Sequence, residues 1–366
     1  MKTLLPGEYR VRQFRDKDFI EDVNGAIFCV IGNVHPPDRV ISYLKYVPGF
    51  RGEAVRVKWS RDGKSFSRVL PNYSALGVLQ VQEYLKSTCS NYVYFDPYMN
   101  IEFIAVLREK IAKHFLPELR LGEIISGVGD SLEEHALRLV KTICKESNVD
   151  VGSIGITGSI LLKIHNLQYS DIDLVTYGRE NSVKIREAVK KLLEEESYGF
   201  HRPKGDMLKQ WAEEIAKIHP LRIDEAVKLY SMKWNRAIFQ GRQFSIHPVN
   251  TEKEEYGRFK YTPKGIVRIR CQVVDDRDSI FLPCKYIVKN VYFLEGKWVS
   301  EVREVVSYEG LYCDIASAGE TITVQGKLEE VEDLYYKQKY FRVTVGTFEA
   351  RGLDYIKPDN WSRSKH

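Results

Sequence analysis

The sequence predicts an α+β protein made of three consecutive parts, and the pattern of apolar residues in each part supports this prediction. In the middle part, residues 118–256, long amphipathic helical patterns alternate with short apolar runs. In the last part, residues 257–366, short runs of alternating apolar and polar residues are separated by Gly and Asp turns. That spacing predicts an antiparallel β-barrel. The first part, residues 1–117, mixes both patterns and predicts a mixed α/β domain.

Composition and charge are those of a globular protein with a substantial core. The chain has 366 residues, of which 43% are hydrophobic and 29% are charged. No apolar run approaches the roughly 20 residues that a bilayer crossing needs, and the early Pro6 interrupts any signal-peptide pattern. We therefore expect a cytoplasmic protein with no membrane contact. The net charge of +5 is compatible with nucleic-acid binding, and the six cysteines contain no C-x-x-C pair that would favour a zinc knuckle.

The first part predicts strands around one hairpin, together with three helices. The predicted strands are Asp22–Val34, Ala54–Ser60, Ser65–Leu70 and Tyr92–Phe95, and the predicted helices are Arg39–Tyr46, Val78–Ser87 and Ile101–His114. His35, held by the following Pro36-Pro37, is interpreted as a loop residue bonded to the backbone in preference to a ligand-binding residue. Four basic residues either contact phosphates or form a solvated face: Arg39, Arg56, Lys58 and Lys64.

The middle part predicts four helices and three short strands. The predicted helices are Asp130–Ser147, Arg179–Glu196, Gly205–His219 and Leu221–Trp234, and the predicted strands are Ser153–Thr157, the run that contains Asp171–Asp173, and Gln243–Val249. The last two helices are basic and could hold a second substrate. Their aromatic residues Trp211 and Tyr230, with Trp234, are interpreted as core residues in preference to base-stacking residues.

The stretch Gly155–Tyr177 carries the clearest chemical pattern in the chain. The Gly158-Ser159 turn precedes a short helix, Ile160–His165, and a strand that carries Asp171 and Asp173. Alternate residues of a strand project to one face, so the two carboxylates lie side by side and repel each other unless a cation binds between them. Mg²⁺ and Mn²⁺ prefer such oxygen ligands, and a Gly-Ser turn lets the backbone approach a phosphate closely.

A Gly-Ser pair followed after eleven residues by Asp-x-Asp and apolar residues resembles the signature of the DNA polymerase β-type nucleotidyltransferase superfamily. The resemblance implies that Gly158 and Ser159, with Ser170 nearby, hold the triphosphate of a nucleoside triphosphate. It also implies that Asp171 and Asp173 bind catalytic Mg²⁺ or Mn²⁺. The wider chain, with its segment Gly32–Pro48 and its β-rich tail, is similar to an archaeal group of predicted nucleotidyltransferases.

One departure from that signature concerns the third carboxylate, which such enzymes usually carry on a later strand. The candidate strand, Gln243–Val249, carries Ser245 and His247 on one face and has no Asp or Glu. Three readings stay open: His247 takes that position as a base, one of Glu252, Glu254 and Glu255 folds back, or the site is incomplete. The sequence therefore predicts a metal-dependent nucleotidyltransferase acting on RNA or a small hydroxyl compound. The alternatives are a catalytically reduced nucleotide- or RNA-binding protein, or a scaffold subunit.

The last part predicts five or six short strands and resembles a barrel of the OB type. The predicted strands are Ile266–Val274, Ile280–Leu282, Lys285–Phe293, Trp298–Ser307, Ile322–Glu329 and Tyr340–Thr347. An aromatic and basic cluster could stack on RNA bases and contact the backbone: Tyr335, Tyr336, Lys337, Lys339, Tyr340, Phe341 and Arg342. The run Asp275–Asp278 is interpreted as a solvated turn in preference to a cation site.

Overall fold

Three sheets follow one another along the chain in a computed structural model that describes residues 12–49, 59–61, 63–127 and 129–361. The architecture is mixed α/β, as the sequence predicts at this coarse level. None of the helices in these ranges has the length and apolar character that would let it cross a membrane.

The first sheet has eight strands and packs against one long helix. The strands are β1 Phe19–Asp22, β2 Ile27–Val30, β3 Arg39–Pro48, β4 Trp59–Arg61, β5 Lys64–Arg68, β6 Val93–Asp96, β7 Ile101–Leu107 and β8 Ile111–Phe115, and the helix is α1 Ala75–Thr88. The main path runs β4-β5-β3-β2-β1-β8, and β7 pairs with both β3 and β6. The predicted hairpin is present as β4 and β5, although most of the predicted strand Ala54–Ser60 lies outside the described residues.

Two of the predicted helices in this part are wrong. Arg39–Tyr46 is the start of β3, and Ile101–His114 is divided between β7 and β8 by a short turn at Arg108–Lys110. Residues 40–46 of β3 are all buried, so the strand lacks the polar alternation that marks a half-exposed strand. The feature of this sequence that indicates a strand is its content of β-branched and aromatic residues, not a repeating apolar pattern.

The middle sheet has five strands in the order β11-β12-β13-β10-β9. They are β9 Ile154–Ile156, β10 Ile172–Tyr177, β11 Phe200–His201, β12 Arg236–Phe239 and β13 Arg242–Val249. Strand β10 runs parallel to β13 and antiparallel to β9. The helices of this part are α2 Pro117–Ser126, α3 Ser131–Ser147, α4 Gly158–Leu161, α5 Arg179–Glu194, α6 Gly205–Ala216 and α7 Ile223–Met232. The long predicted helices are thus confirmed, and the side chain of Asp130 caps α3.

The third sheet closes on itself as a ring. Its strands are β14 Phe259–Asp275, β15 Cys284–Glu295, β16 Val302–Ser307, β17 Thr321–Asp333, β18 Gln338–Val345 and β19 Tyr355–Pro358. The ring passes through β14, β15, β16, β18 and β17 and back to β14, with β19 paired outside it. The predicted strand Ile280–Leu282 is wrong, since these residues form a bend whose Ile280 and Phe281 are buried against the middle core. Strand β19 was not predicted.

The three hydrophobic cores do not follow the predicted boundaries in every place. Trp211 of α6 and Tyr230 of α7 are buried in the core of the ring, so these helices pack there. The short helix α4 joins the other two cores, because Ile160 belongs to the middle core whereas Leu161 and Leu162 belong to the core of the first sheet. The Gly-Ser turn therefore lies where the first and middle parts meet.

Candidate functional site

Strand β10 presents the two aspartates at its beginning. Asp171 directly precedes the strand and Asp173 is its second residue, while Ile172 and Leu174 are fully buried in the middle core. This alternation places both carboxylates on the face away from that core. The side chain of Asp171 is open to water, and it has no ion pair or hydrogen bond with another residue in the described part of the chain.

The Gly-Ser turn lies directly against Asp173. Gly158 has a φ of +67°, and a Cβ at this position would overlap Oδ2 of Asp173, so only glycine fits here. The backbone N–H of Thr157 also donates to the carbonyl of Asp173 at 2.9 Å. Helix α4 begins at Gly158 and ends at Leu161, so the prediction of a helix over Ile160–His165 is wrong at both ends. The buried Ser159 hydroxyl has no hydrogen-bond partner among the described residues.

A short chain of hydrogen bonds fixes Asp173 from the neighbouring strand. Ser245 is the residue opposite Asp173 in the parallel pair of β10 and β13, and its hydroxyl bonds to Oδ1 of Asp173. Nε2 of His247 lies 2.9 Å from the same hydroxyl and 3.9 Å from Oδ1. Because an ionised carboxylate can only accept, Ser245 donates to Asp173 and accepts from Nε2–H of His247. His247 therefore supports Asp173 through Ser245.

The two carboxyl groups titrate in opposite directions. The charge of Asp173, followed by partial burial, raises the pKa of Asp171 to about 6. Burial acts to raise the pKa of Asp173 as well, but His247, Lys45 and Ser245 together hold it below its ordinary value. Asp173 is thus ionised and held in place, whereas Asp171 makes no ion pair with any residue that the structure describes.

No third carboxylate joins the pair in the described part of the chain. Glu252 pairs with Arg179 at 2.9 Å, and Glu255 accepts a hydrogen bond from Tyr335. Glu254 faces basic residues of the ring, including Lys285. Among the described residues, the group of three side chains whose ligand atoms lie close enough together to hold a metal is Asp130, Glu133 and His165. This group includes neither Asp171 nor Asp173. The reading in which a glutamate folds back is therefore wrong for these three residues.

Positive charge reaches the carboxylates from two sides. Lys45 on β3 and Arg236 at the start of β12 both lower the pKa of Asp171. Arg236 is exposed, and its guanidinium carbon lies 4.5 Å from the ring centroid of Trp211 and 5.9 Å from that of Tyr230. The two rings are buried, which confirms their interpretation as core residues, and they hold Arg236 beside the site.

Three arginines that sequence reasoning missed hold the segment between the turn and the aspartates. Nε of Arg120 donates to the carbonyl of Ile160 at 3.1 Å, and Arg61 donates to the carbonyl of Leu162 at 3.3 Å. Arg242 donates to three backbone carbonyls, those of Leu167 at 2.8 Å, Gln168 at 3.1 Å and Ser170 at 3.2 Å. These hydrogen bonds join residues far apart in sequence, so no local sequence pattern predicts them.

The other residues singled out from the sequence have mainly structural contacts. The hydroxyl of Ser170 accepts from the N–H of Asn166 at 2.9 Å, so it closes the loop before β10. Nδ1 of His35 accepts from the N–H of Ile41 at 3.3 Å, and burial lowers the pKa of His35 to about 4. Arg39 pairs with Asp38, and Lys64 is exposed. Arg56 and Lys58 lie outside the described residues.

The predicted aromatic and basic cluster of the ring is divided by the fold. Arg342 is buried, bonds to Glu329 at 2.8 Å and stacks 3.7 Å from the ring centroid of Tyr261. Tyr335 and Tyr336 are exposed in the turn between β17 and β18, with the guanidinium of Arg258 near both rings. The exposed part of the predicted cluster is therefore smaller than the sequence suggests.

Comparison with known proteins finds a full-length relative. The uncharacterized protein MJ1086 of Methanocaldococcus jannaschii is 30% identical over 353 residues, which cover 94% of this chain and 98% of that protein. The chain belongs to the family of this archaeal protein. No family model matches the chain, and no solved structure matches it.

Proposed function

We propose that this protein is a metal-dependent nucleotidyltransferase that moves a nucleoside monophosphate from a nucleoside triphosphate to an RNA or a small hydroxyl compound. The observation that carries the proposal is the contact between Gly158 of the Gly-Ser turn and the Asp173 carboxylate. A phosphate bound at the turn would lie beside the aspartate pair, in which Asp171 makes no ion pair with the described residues.

The donor set fits a hard divalent cation such as Mg²⁺ or Mn²⁺. Asp171 and Asp173 offer carboxylate oxygens on one face, and the raised pKa of Asp171 is what their mutual repulsion produces when no cation lies between them. A metal bound there would polarise a phosphoryl oxygen and neutralise charge on the leaving group.

The remaining groups of the site have roles that follow from their contacts. The Ser159 hydroxyl, free of partners in the described chain, is a donor for a phosphate oxygen. The hydrogen bond from Ser245 orients the Asp173 carboxylate, and His247, Lys45 and Ser245 together favour its ionised form. Since Nε2 of His247 donates to Ser245, Nδ1 is the nitrogen left to accept a proton from an attacking hydroxyl.

The ring-shaped sheet supports a nucleic-acid acceptor. Counted along the chain, the third strand of the ring, β16, pairs in parallel with the fifth strand, β18, which is the pairing of an OB-like barrel. Exposed Tyr335 and Tyr336 occupy the turn between the fourth and fifth strands, beside Arg258. OB barrels use this loop for single-stranded nucleic acids, and aromatic rings with a nearby arginine suit stacked bases.

A thermal-shift titration tests the proposal. Each of the four NTPs is added with Mg²⁺ or Mn²⁺ to the wild type and to Asp171→Asn. A ligand that binds only the folded protein at a hundred times its Kd adds about 2.7 kcal/mol of stability. We expect a shift that needs metal and is lost in Asp171→Asn. A wild type that no NTP stabilises in the presence of either metal would contradict the proposal.

The missing third carboxylate favours a second candidate, a protein that binds nucleotide or RNA without turnover. Release of pyrophosphate, measured in the same samples with an RNA pool present, separates the two candidates. Nucleotide binding without release supports the binding protein. In that case Ser245→Asp, which places a carboxylate opposite Asp173, is expected to increase metal affinity.

A further inference from the structure

The first sheet contributes a buried lysine that makes no ion pair with any of the described residues. Lys45 lies on β3 with 7% of its surface exposed. In the described part of the chain its ammonium group makes no ion pair and no hydrogen bond. A buried charge without a partner is costly, so such groups are normally paired in the folded protein.

Aromatic rings surround the Lys45 ammonium group. Its Nζ lies 5.0 Å from the ring centroid of Phe19, 5.7 Å from that of Tyr46 and 5.5 Å from that of Tyr73. The negative faces of aromatic rings attract a cation, but they do not accept the three hydrogen bonds that an ammonium group donates. Tyr73 is 53% exposed, so this end of the cage meets solvent.

Lys45 faces the candidate site. The hydroxyl of Thr157, the residue before the Gly-Ser turn, donates to the carbonyl of Lys17 in the first sheet at 2.7 Å. The residues after the turn, Leu161 and Leu162, share a core with Tyr46 and the rest of the first sheet. The charge of Lys45 lowers the pKa of both Asp171 and Asp173. The nearby Lys17 differs from Lys45, because Asp16 lies 3.6 Å from its Nζ.

We infer that Lys45 binds the polyphosphate of the nucleotide, so that the first part of the chain completes a site begun by the Gly158-Ser159 turn. This inference rests on the proposed function. A polyphosphate is the ligand class that fits, because its oxygens accept several hydrogen bonds from an ammonium group while others remain for a metal held by the carboxylates. The aromatic cage keeps Lys45 in place before the ligand arrives, which reduces the cost of binding.

Lys45→Met tests the inference, because methionine keeps an unbranched side chain and removes the charge. The matched control is Lys64→Met, which changes an exposed lysine of the same sheet. The probes are Mn²⁺ alone, inorganic tripolyphosphate with Mn²⁺, and each NTP and NMP with Mn²⁺, all followed by thermal shift. Without ligand, we expect Lys45→Met to melt no higher than the wild type, because electrostatic interactions with Tyr73, Tyr46 and Asp173 raise the pKa of Lys45 despite its burial and favour its charged form in the folded protein. We also expect it to bind Mn²⁺ normally and to lose at least tenfold in affinity for tripolyphosphate and NTPs. Lys64→Met should behave as the wild type, and Lys45→Arg should recover part of the affinity.

Three results would overturn the inference. One is tripolyphosphate and NTP affinity in Lys45→Met that stays within twofold of the wild type. Another is an equal loss of Mn²⁺ binding without phosphate, which would show that Lys45 acts on the carboxylates alone. The third is a loss of affinity for NMPs and tripolyphosphate in Lys64→Met that equals the loss in Lys45→Met. The proposed function fails separately, when the wild type itself shows no metal-dependent shift with any NTP.

Discussion

At the scale of single residues, the two aspartates of the site have opposite electrostatic environments although they are one residue apart. Asp173 receives a hydrogen bond from Ser245 and is held ionised. Asp171 has no such bond, and its neighbour's charge raises its pKa to about 6. A protein in which both served only the fold would gain stability by losing the charge of Asp171. The charge of Asp171 is therefore available to a cation, as the proposed function requires.

Asp171→Asn is expected to stabilise the metal-free protein near neutral pH. A carboxyl group whose folded pKa is raised to about 6, from about 3.9 when unfolded, contributes stability that is present below the unfolded pKa and is lost as the pH rises through 6. The wild type should therefore lose stability between about pH 4 and pH 6, and Asp171→Asn should not. Because Asp171 is exposed to water, the gain at pH 7 should be about 1 kcal/mol or less.

Urea denaturation in EDTA from pH 4.5 to pH 8 measures this difference. The comparison variant is Asp173→Asn, which loses the negative charge that His247, Lys45 and Ser245 stabilise and should be less stable than the wild type at pH 7. If the stability of Asp171→Asn and the wild type changes in parallel over this range, the raised pKa of Asp171 is wrong.

The residues of this site differ in how far the sequence could predict them. Gly158, Ser159, Asp171 and Asp173 were singled out by their spacing and residue types within one stretch, and the structure brings Gly158 against Asp173. Lys45 was not singled out, because its charge acts on aspartates more than a hundred positions away in the chain. The arginines that bind backbone carbonyls share this limitation, since a carbonyl has no sequence signature.

At the scale of elements, the turn between β9 and α4 depends on the absence of a side chain at Gly158. Its φ of +67° lies in the left-handed region, and a Cβ there would meet Asp173. Gly205, at the start of α6, has a similar φ of +56° with no atom within 4 Å of a Cβ. An alanine at Gly205 would therefore cause backbone strain alone, whereas an alanine at Gly158 would cause backbone strain and a steric clash.

Gly158→Ala is expected to destabilise the protein more than Gly205→Ala. The second change should cost about 1–2 kcal/mol through left-handed backbone strain alone. The first should add about 1–3 kcal/mol, because the new methyl group displaces the Asp173 carboxylate. It should also abolish the metal-dependent shift with NTPs, whereas Gly205→Ala should keep it. Equal destabilisation of the two variants would show that Asp173 moves without cost.

Secondary structure was predictable where one face of an element is exposed. Helices α3 and α5 alternate buried and exposed residues at helical spacing, and both were found from the sequence. Strand β3 is buried from Val40 to Tyr46, so its sequence shows no polar alternation, and Arg39–Tyr46 was predicted as a helix instead. The ring was predictable as a class because its turns are regular, but its closure depends on pairings between distant strands.

At the scale of the whole molecule, helix α4 makes the first and middle parts interdependent. Ile160 is buried in one core, and Leu161, Leu162 and Ile164 are buried in the other. The hydrogen bond from Thr157 to Lys17 adds a polar contact beside them. The two cores should therefore unfold together rather than as separate domains.

Leu161→Ala is expected to lower the stability of both cores at once, by about 2–5 kcal/mol for a buried leucine. Hydrogen exchange should show peptides of β1–β3 and peptides of α3 and α5 losing protection to the same extent. Leu167→Ala, which truncates an exposed leucine in the following loop, is the control and should have little effect. Loss of protection in the first sheet alone would contradict the coupling.

Because residues on both sides of Lys163 are buried in the two cores, the accessibility of Lys163 to a protease reports whether the protein is folded. Its side chain is exposed, and it is a cleavage site for trypsin in a segment whose neighbours Leu162 and Ile164 are buried. A protease needs several consecutive residues in extended form, and this segment can supply them only when two cores release their side chains together. Tryptic cleavage after Lys163 should therefore follow the population of globally opened molecules. A bound nucleotide would then slow proteolysis there in proportion to its affinity.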